Sequence, residues 1–364
     1  MKIGIDLSPV ENNPAGIGQY TISLISRLVE LDGEDEFITY TTQPLFLPRT
    51  NNVVIRFPGF LPFKGIRWML KVAHHAKSQK VDLFISPSNH LFSILLKNNL
   101  QMVHDLAPVK FPQFFSKKAA LSYKFSTKIA LQKAKAVITI SETVKQELIA
   151  FTKIKNKEKI HVVYPALNPW IVSGQGNFET IPYNLPEKYI LSLGTLEPRK
   201  NFENLIRGFK IFSGKSGNKL SLVIVGKKGW FYEEIFKTVK EQKLEEKVIF
   251  LGYVPNEHLA AIYKMAAGFA YLSYYEGFGI PPLESLYFNL PTLVSNIPVF
   301  HETFSDMVSY TDPREPEAIA TDLEQLLKQK PQPTRELVAN RYSWEKSVKI
   351  LIEVIHNLHE KTDQ

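Results

Sequence analysis

Two glutamates eight residues apart, Glu276 and Glu284, lie in the stretch SYYEGFGIPPLESLYFNLP at residues 273–291. The apolar run at 268–272 reads as a buried strand, and Pro281-Pro282 followed by Leu283, Leu286 and Tyr287 reads as a helix opening on proline. Glu276 then occupies a strand-to-helix turn, and Glu284 the first turn of the helix. Gly277 and Gly279 admit positive φ there, which lets backbone N–H groups point outward together ahead of a helix N-terminus that favours anions. A turn of this kind at the carboxyl end of a strand grips oxygen-rich ligands, with both carboxylates facing one crevice. Taken singly, the same features also suit an ordinary turn and a carboxylate complementing the helix dipole.

Cations stand at a second strand end. Arg199 and Lys200, in TLEPRKN, follow the apolar run KYILSLG, where two adjacent cations can clamp a diphosphate and offset charge growing on a leaving group. A basic pair in a loop is otherwise solvated surface. His104-Asp105 closes the run LQMVHDLAP; a lone histidine is usually structural, but this one ends a strand, with Asp105 as its orienting partner. Gly16 and Gly18, in PAGIG, open a helix and can bring backbone amides close to a phosphate, although Gly-x-Gly alone is weak evidence. Asp-x-Asp is absent from the sequence, so the usual metal bridge to a diphosphate is not signalled.

These groups need strands and helices to hold them, and the chain supplies an alternation of both. Short apolar runs at 2–7, 37–40, 53–57, 81–86, 100–104, 136–140 and 160–163 alternate with helical segments, the pattern of a parallel sheet covered on both faces. Residues 164–186, rich in Pro, Asn and Gly, read as a linker between a first domain at 1–170 and a second at 187–342. KYILSLG, LSLVIVG, KVIFLGYV, GFAYLS and LPTLVS are the second domain's strands. Ser141 reads as an N-cap, and Asn289 as a turn residue tolerant of the left-handed conformation. An amphipathic helix ends the chain, with Trp344, Val348, Leu351, Ile352, Ile355 and Leu358 on one face.

At 364 residues the chain can bury two ordinary cores, and 44% hydrophobic with 22% charged residues is a globular composition. The absence of cysteine excludes disulfides, thiolate metal sites and a cysteine nucleophile, and suits a reducing compartment. Without a leader or an apolar run long enough to span a bilayer, the expected location is cytoplasmic. Net charge is +8, but residues 1–170 alone hold 22 basic against 12 acidic residues, which points to a polyanionic partner. Residues 57–80 mix Phe60, Leu61, Phe63, Trp68, Met69 and Leu70 with Lys64, Arg67, Lys71 and Lys77, and read either as a segment lying on an anionic membrane or as an ordinary domain helix.

Glu-Gly-Phe-Gly-x-Pro-x-x-Glu at 276–284, with EPRKN upstream, resembles the signature of retaining GT-B glycosyltransferases of family 4 (group 1), and the order of motifs extends that resemblance over nearly the whole chain. It implies two doubly wound Rossmann-like α/β domains facing a cleft, the C-terminal helix at 343–364 packing back on the first. By the same resemblance Glu276 and the backbone of Gly277, Phe278 and Gly279 lie around the donor sugar and Glu284 on the ribose. Gly194, Arg199 and Lys200 take the diphosphate, with Gly16 beside it. Gly226, Lys227 and Tyr253 line the nucleotide side, and His104 meets the sugar. Glu302 matches an acidic residue of a less secure loop, where His301 stands for proline. The implied activity is retaining, metal-independent transfer without a cofactor, best from GDP-mannose, onto a lipid-linked or growing saccharide. UDP-sugar donors, a sugar-nucleotide epimerase or phosphorylase of the same fold, and a non-catalytic nucleotide-sugar binder are the competing readings. Nucleic acid is not an expected partner.

Overall fold

The computed structural model describes residues 1–12, 16–56, 64–88, 90–172, 181–216 and 220–360. The chain divides into two compact units, Met1–Ala166 with Tyr342–Gln364, and Leu167–Arg341. In the first, strands β1 (Lys2–Asp6), β2 (Glu36–Thr41), β3 (Thr50–Val54), β4 (Leu83–Ser86), β5 (Asn99–Val103), β6 (Ala136–Thr139) and β7 (Ile160–Val162) form one sheet in the order β3-β2-β1-β4-β5-β6-β7. Every pairing is parallel. Most of the strands are short apolar runs buried on both faces, which is why they read as continuous rather than alternating patterns; the edge strand β3, TNNVV, is polar and only partly buried, and it begins three residues before the expected run at 53–57.

The second unit repeats the plan with β8 (Tyr189–Leu193), β9 (Ser221–Val225), β10 (Val248–Gly252), β11 (Gly268–Tyr271), β12 (Thr292–Ser295) and β13 (Ser309–Thr311), ordered β10-β9-β8-β11-β12-β13 and again parallel. In both units the strand order reverses beside the first strand, next to β4 in one and β11 in the other. Ligands of open α/β sheets bind outside the carboxyl ends of the strands at such a reversal. β13 escapes the sequence pattern because its three residues SYT contain no apolar run.

Each sheet is sealed by amphipathic helices. In the second unit Phe202, Leu205, Ile206, Phe209 and Phe212 of the helix Phe202–Ser216 and Ile319, Leu323 and Leu326 of the helix Pro316–Leu326 join Ile190, Leu222 and Ile224 in one core. In the first, Trp68, Met69, Val72 and Ala76 of the helix Lys64–Ser78 pack with Ile38, Tyr40 and Phe84. Trp68 and Met69 are therefore core residues, Trp68 donating through Nε1 to Asp6 Oδ1 at 3.2 Å. Phe60, Leu61 and Phe63 lie outside the described residues. The final helix, Trp344–Glu360, packs on the helix Ile17–Leu31. There Trp344 meets Tyr20 with ring centroids 5.7 Å apart, and Ser347 Oγ donates to Tyr164 O at 2.6 Å. Ser141 caps its helix by accepting from Val144 N at 3.1 Å, and Asn289 adopts φ 56°.

Candidate functional site

At the reversal of the second sheet, the turns following β8 and β11 meet. The turn after β8 passes through Pro198–Lys200, one turn of 3₁₀ helix, and ends on Asn201, which takes φ 56°. Asparagine tolerates that left-handed backbone, and its buried Nδ2 ties the turn down by donating to Leu272 O at 3.0 Å and Pro313 O at 2.6 Å. Tyr274 N donates to Arg199 O at 2.9 Å, so the two turns are joined through backbone as well. The Arg-Lys pair is thus fixed by contacts to the segment after β11 and to the loop after β13, both distant in sequence.

Three side chains converge there on one oxygen. Lys200 Nζ lies 2.6 Å and Arg199 Nη1 3.1 Å from Glu276 Oε1, and the Tyr271 hydroxyl donates to the same oxygen at 3.1 Å. Lys200 also donates to the Tyr271 hydroxyl at 2.6 Å, while Arg199 reaches Glu197 Oε1 at 2.6 Å and Tyr275 O at 2.8 Å. Arg199, Lys200 and Glu276 side chains keep only 13%, 11% and 11% of their surface exposed, so the cations are held in position and largely stripped of water. Burial pushes the Glu276 carboxyl up, but Lys200 and Arg199 outweigh it and hold it down at about 2. Burial lowers the Lys200 ammonium against the pull of Glu276, and raises the Tyr271 phenol well above its usual range, with Glu276 adding to the rise. Glu276 is ionised at neutral pH, and Tyr271 is a neutral donor.

Glu284 lies in a different setting. It is the fifth residue of the helix Ile280–Tyr287, one turn later than the sequence placed it, and is only 3% exposed. Asn168 Nδ2 donates to its Oε1, and the Tyr263 hydroxyl to its Oε2 at 2.8 Å. Burial raises its carboxyl to about 7 against those two hydrogen bonds. Glu276 and Glu284 share no hydrogen-bond partner among the described residues: the first is held by Lys200, Arg199 and Tyr271, the second by Asn168 and Tyr263. The turn between them takes positive φ at Gly279, 113°, and not at Gly277. At Gly279 a Cβ would lie 2.8 Å from the Phe300 ring, so glycine is required there both for backbone and for space. Phe278, within the turn, is 2% exposed.

Gly194 and Gly226 join the turns after β8 and β9. Gly194 N donates to Val225 O at 2.9 Å, and Leu196 N to Lys227 O at 2.9 Å. A Cβ on Gly226 would fall 1.8 Å from Gly194 O. Gly226 is thus a close-approach residue that sets the height of the turn carrying Arg199 and Lys200. Tyr253 follows β10 and is 60% exposed.

Two expected residues belong to the first unit. His104 immediately follows β5, is 8% exposed, and hydrogen-bonds through Nε2 to Pro87 O at 2.7 Å. A carbonyl can only accept, so Nε2 carries the proton; burial lowers the ring's pKa and keeps it neutral, with Nδ1 as its acceptor nitrogen. Tyr20 stands edge-on to it, centroids 5.3 Å apart. Gly16 precedes the helix Ile17–Leu31 with φ 57° and open space around its α-carbon, while Gly18 is buried inside the helix. Glu302 lies on the helix Pro298–Phe304, its carbonyl accepting from Arg341.

Tyr271, Glu197, Asn168 and Tyr263 were not singled out from sequence. Glu197 stands within EPRKN, two residues before its partner Arg199, whereas Asn168 in the linker and Tyr263 on the helix Asn256–Met265 meet Glu284 from segments distant in sequence, which no local spacing reveals. Tyr271 was hidden as one more apolar-run residue in GFAYLS.

Residues 177–341 match the family model described as Glycosyl transferases group 1, and residues 14–170 the one described as Glycosyltransferase Family 4. The O-antigen chain mannosyltransferase RfbU of Salmonella typhimurium is 28% identical over 323 residues, 85% of this chain and 86% of that protein. O-antigen chain mannosyltransferase B of Escherichia coli is 24% identical, covering 95% and 97% of the two chains. Among solved structures, sucrose-phosphate synthase from Thermosynechococcus elongatus superposes with a TM-score of 0.76 at 18% identity over 99% of this chain and 100% of that one. Anabaena HepE in complex with UDP and glucose gives 0.72 at 16% identity over 98% and 100%.

Proposed function

The chain belongs to the GT-B glycosyltransferases, a glycosyltransferase family 4 domain followed by a glycosyl transferases group 1 domain, and we propose that it moves mannose from GDP-mannose onto a lipid-linked or growing polysaccharide acceptor. The observation that carries the chemical part is the buried Lys200, Arg199, Glu276 and Tyr271 cluster at the sheet reversal. Cations fixed and desolvated before the reaction stabilise charge that develops on a departing diphosphate without reorganising. The choice of mannose and of a surface polysaccharide rests on the names of the relatives at 24–28% identity.

In this reading the bond from the sugar's anomeric carbon to the phosphate oxygen lengthens as Lys200 and Arg199 take up the growing negative charge. The acceptor hydroxyl approaches the same face, its oxygen bonds to the anomeric carbon, and its proton passes to the departing phosphate oxygen. Configuration is retained. Glu276 orients the sugar and Glu284 the ribose; Gly194, Gly226 and the Gly277–Phe278–Gly279 backbone shape the donor site, with Gly16, Tyr253 and the neutral His104 as further contacts. The two cations supply the charge stabilisation that a bridging metal would otherwise give, so transfer proceeds without a metal. The acceptor is met at the inner face of the membrane, where the protein is peripheral.

Incubation with GDP-mannose, UDP-glucose and UDP-galactose in turn, with release of nucleoside diphosphate followed in the presence of a lipid-linked saccharide, tests donor and reaction together. Release and sugar incorporation from GDP-mannose, with the anomeric configuration kept in the product's NMR spectrum and unaltered by EDTA, is the expected result. Turnover from a UDP-sugar instead replaces the donor, inverted product replaces the same-face route, and loss in EDTA restored by a divalent ion replaces the metal-free one.

A further inference from the structure

The positive charge of the first unit is concentrated. Residues 64–133 hold 12 lysines and arginines against two acids, Asp82 and Asp105, whereas the rest of residues 1–170 balances at 10 of each. Both acids are engaged locally, Asp82 accepting from Lys2 N at 2.7 Å and Asp105 from Ala107 N at 2.8 Å. Nine of those twelve cations stand on the helices Lys64–Ser78 and Lys117–Lys133, and the helix Phe92–Leu95 between them packs against both to make one layer.

The helix Lys117–Lys133 is the clearest part of that layer. Its sequence KKAALSYKFSTKIALQK has no acidic residue, and its inward face is closed by Ala120, Thr127, Ala130 and Leu131. Leu121 and Phe125, one turn apart on the other side, are 69% and 67% exposed. Lys117, Lys118 and Lys124 are exposed around them. On the neighbouring helices Ile94, Leu70 and Ile66 are 51%, 53% and 50% exposed, and Arg67 and Lys71 are exposed as well. A soluble polyanion would need only the cations. Large aliphatic and aromatic side chains turned outward among lysines, with no acid between them, match a surface that is negative at its face and apolar just beneath.

We propose that the helix Lys117–Lys133, with Leu121 and Phe125 as its inserting pair, is the element that docks this protein on an anionic lipid bilayer. The docking surface is thereby shifted away from the expected residues 57–80, whose Trp68 and Met69 serve the core. The inference extends the lipid-linked acceptor proposed above, but vesicle binding is read without any transfer, so either can fail while the other stands.

The test is cosedimentation of the full chain with phosphatidylcholine vesicles, with and without phosphatidylglycerol. The parent binds only the anionic vesicles, less so in high salt. The triple change Lys117→Glu, Lys118→Glu and Lys124→Glu weakens binding by more than about tenfold, and Leu121→Ser with Phe125→Ser does so at unchanged net charge. Thermal unfolding and nucleoside-diphosphate binding, measured in parallel, remain those of the parent, because all five positions are exposed and none is in the donor site. A Lys200→Ala variant binds vesicles as the parent does. Absence of vesicle binding by the parent overturns the proposal. So does unchanged binding by the Leu121 and Phe125 variant, which would leave a purely electrostatic surface suited to a soluble polyanion.

Discussion

Glu276 and Glu284 are separated by eight residues and by opposite electrostatics. The native Glu276 carboxyl, at about 2, loses its proton more readily than the ordinary value of 4.5. Its contribution to stability is complete above the ordinary value and is lost as pH falls toward 2. Glu284, at about 7, keeps its proton in the native state where the unfolded chain has released it, so it costs stability increasingly as pH rises from 4.5 to 7. Urea unfolding of two amide variants from about pH 5 to about pH 8 separates them. Glu284→Gln should gain on the parent as pH rises, whereas Glu276→Gln should be destabilised at both ends, by about 3–5 kcal/mol, because Lys200 loses its buried counter-charge. An equal, pH-independent effect of both substitutions would contradict the assignment of charged and neutral forms.

At the scale of elements, the site depends on how the turns after β8, β9 and β11 lean on one another. Gly226→Ala should destabilise the second unit by about 1–3 kcal/mol, since its Cβ would overlap Gly194 O. It should also weaken nucleoside-diphosphate binding by shifting the turn that carries Arg199 and Lys200; calorimetric titration that returned parental affinity would show the height of that turn to be unimportant. Arg199, Lys200 and Glu276 were legible in the sequence because apolar runs before each put them at strand ends, and parallel sheets collect strand ends on one edge. Their mutual pairing was not, since β8 and β11 are neighbours only by virtue of a strand order that no local pattern encodes. The same limit hid Asn168 and Tyr263 as the partners of Glu284, since one lies in the linker and the other on the helix Asn256–Met265.

Across the whole molecule the two units have the same parallel, reversing sheet but carry different chemistry. The second concentrates paired charge at its reversal point, and the first carries an excess of positive charge on one helical layer; among the described residues no helix is long and apolar enough to cross a membrane. The doubly wound pattern was readable because most strands are apolar runs covered on both faces; β13, too short to hold such a run, was missed, and β3, whose first three residues are polar, was placed three residues too late. The central claim is that the cation pair beside Glu276 drives transfer by stabilising a departing diphosphate. Its most direct test is the turnover rate of Lys200→Ala with GDP-mannose at saturation, beside its affinity for GDP and its unfolding temperature. A loss of about a hundredfold to a thousandfold in rate, in a protein that folds and still binds GDP, is the predicted result. A folded variant turning over at the parental rate would contradict it.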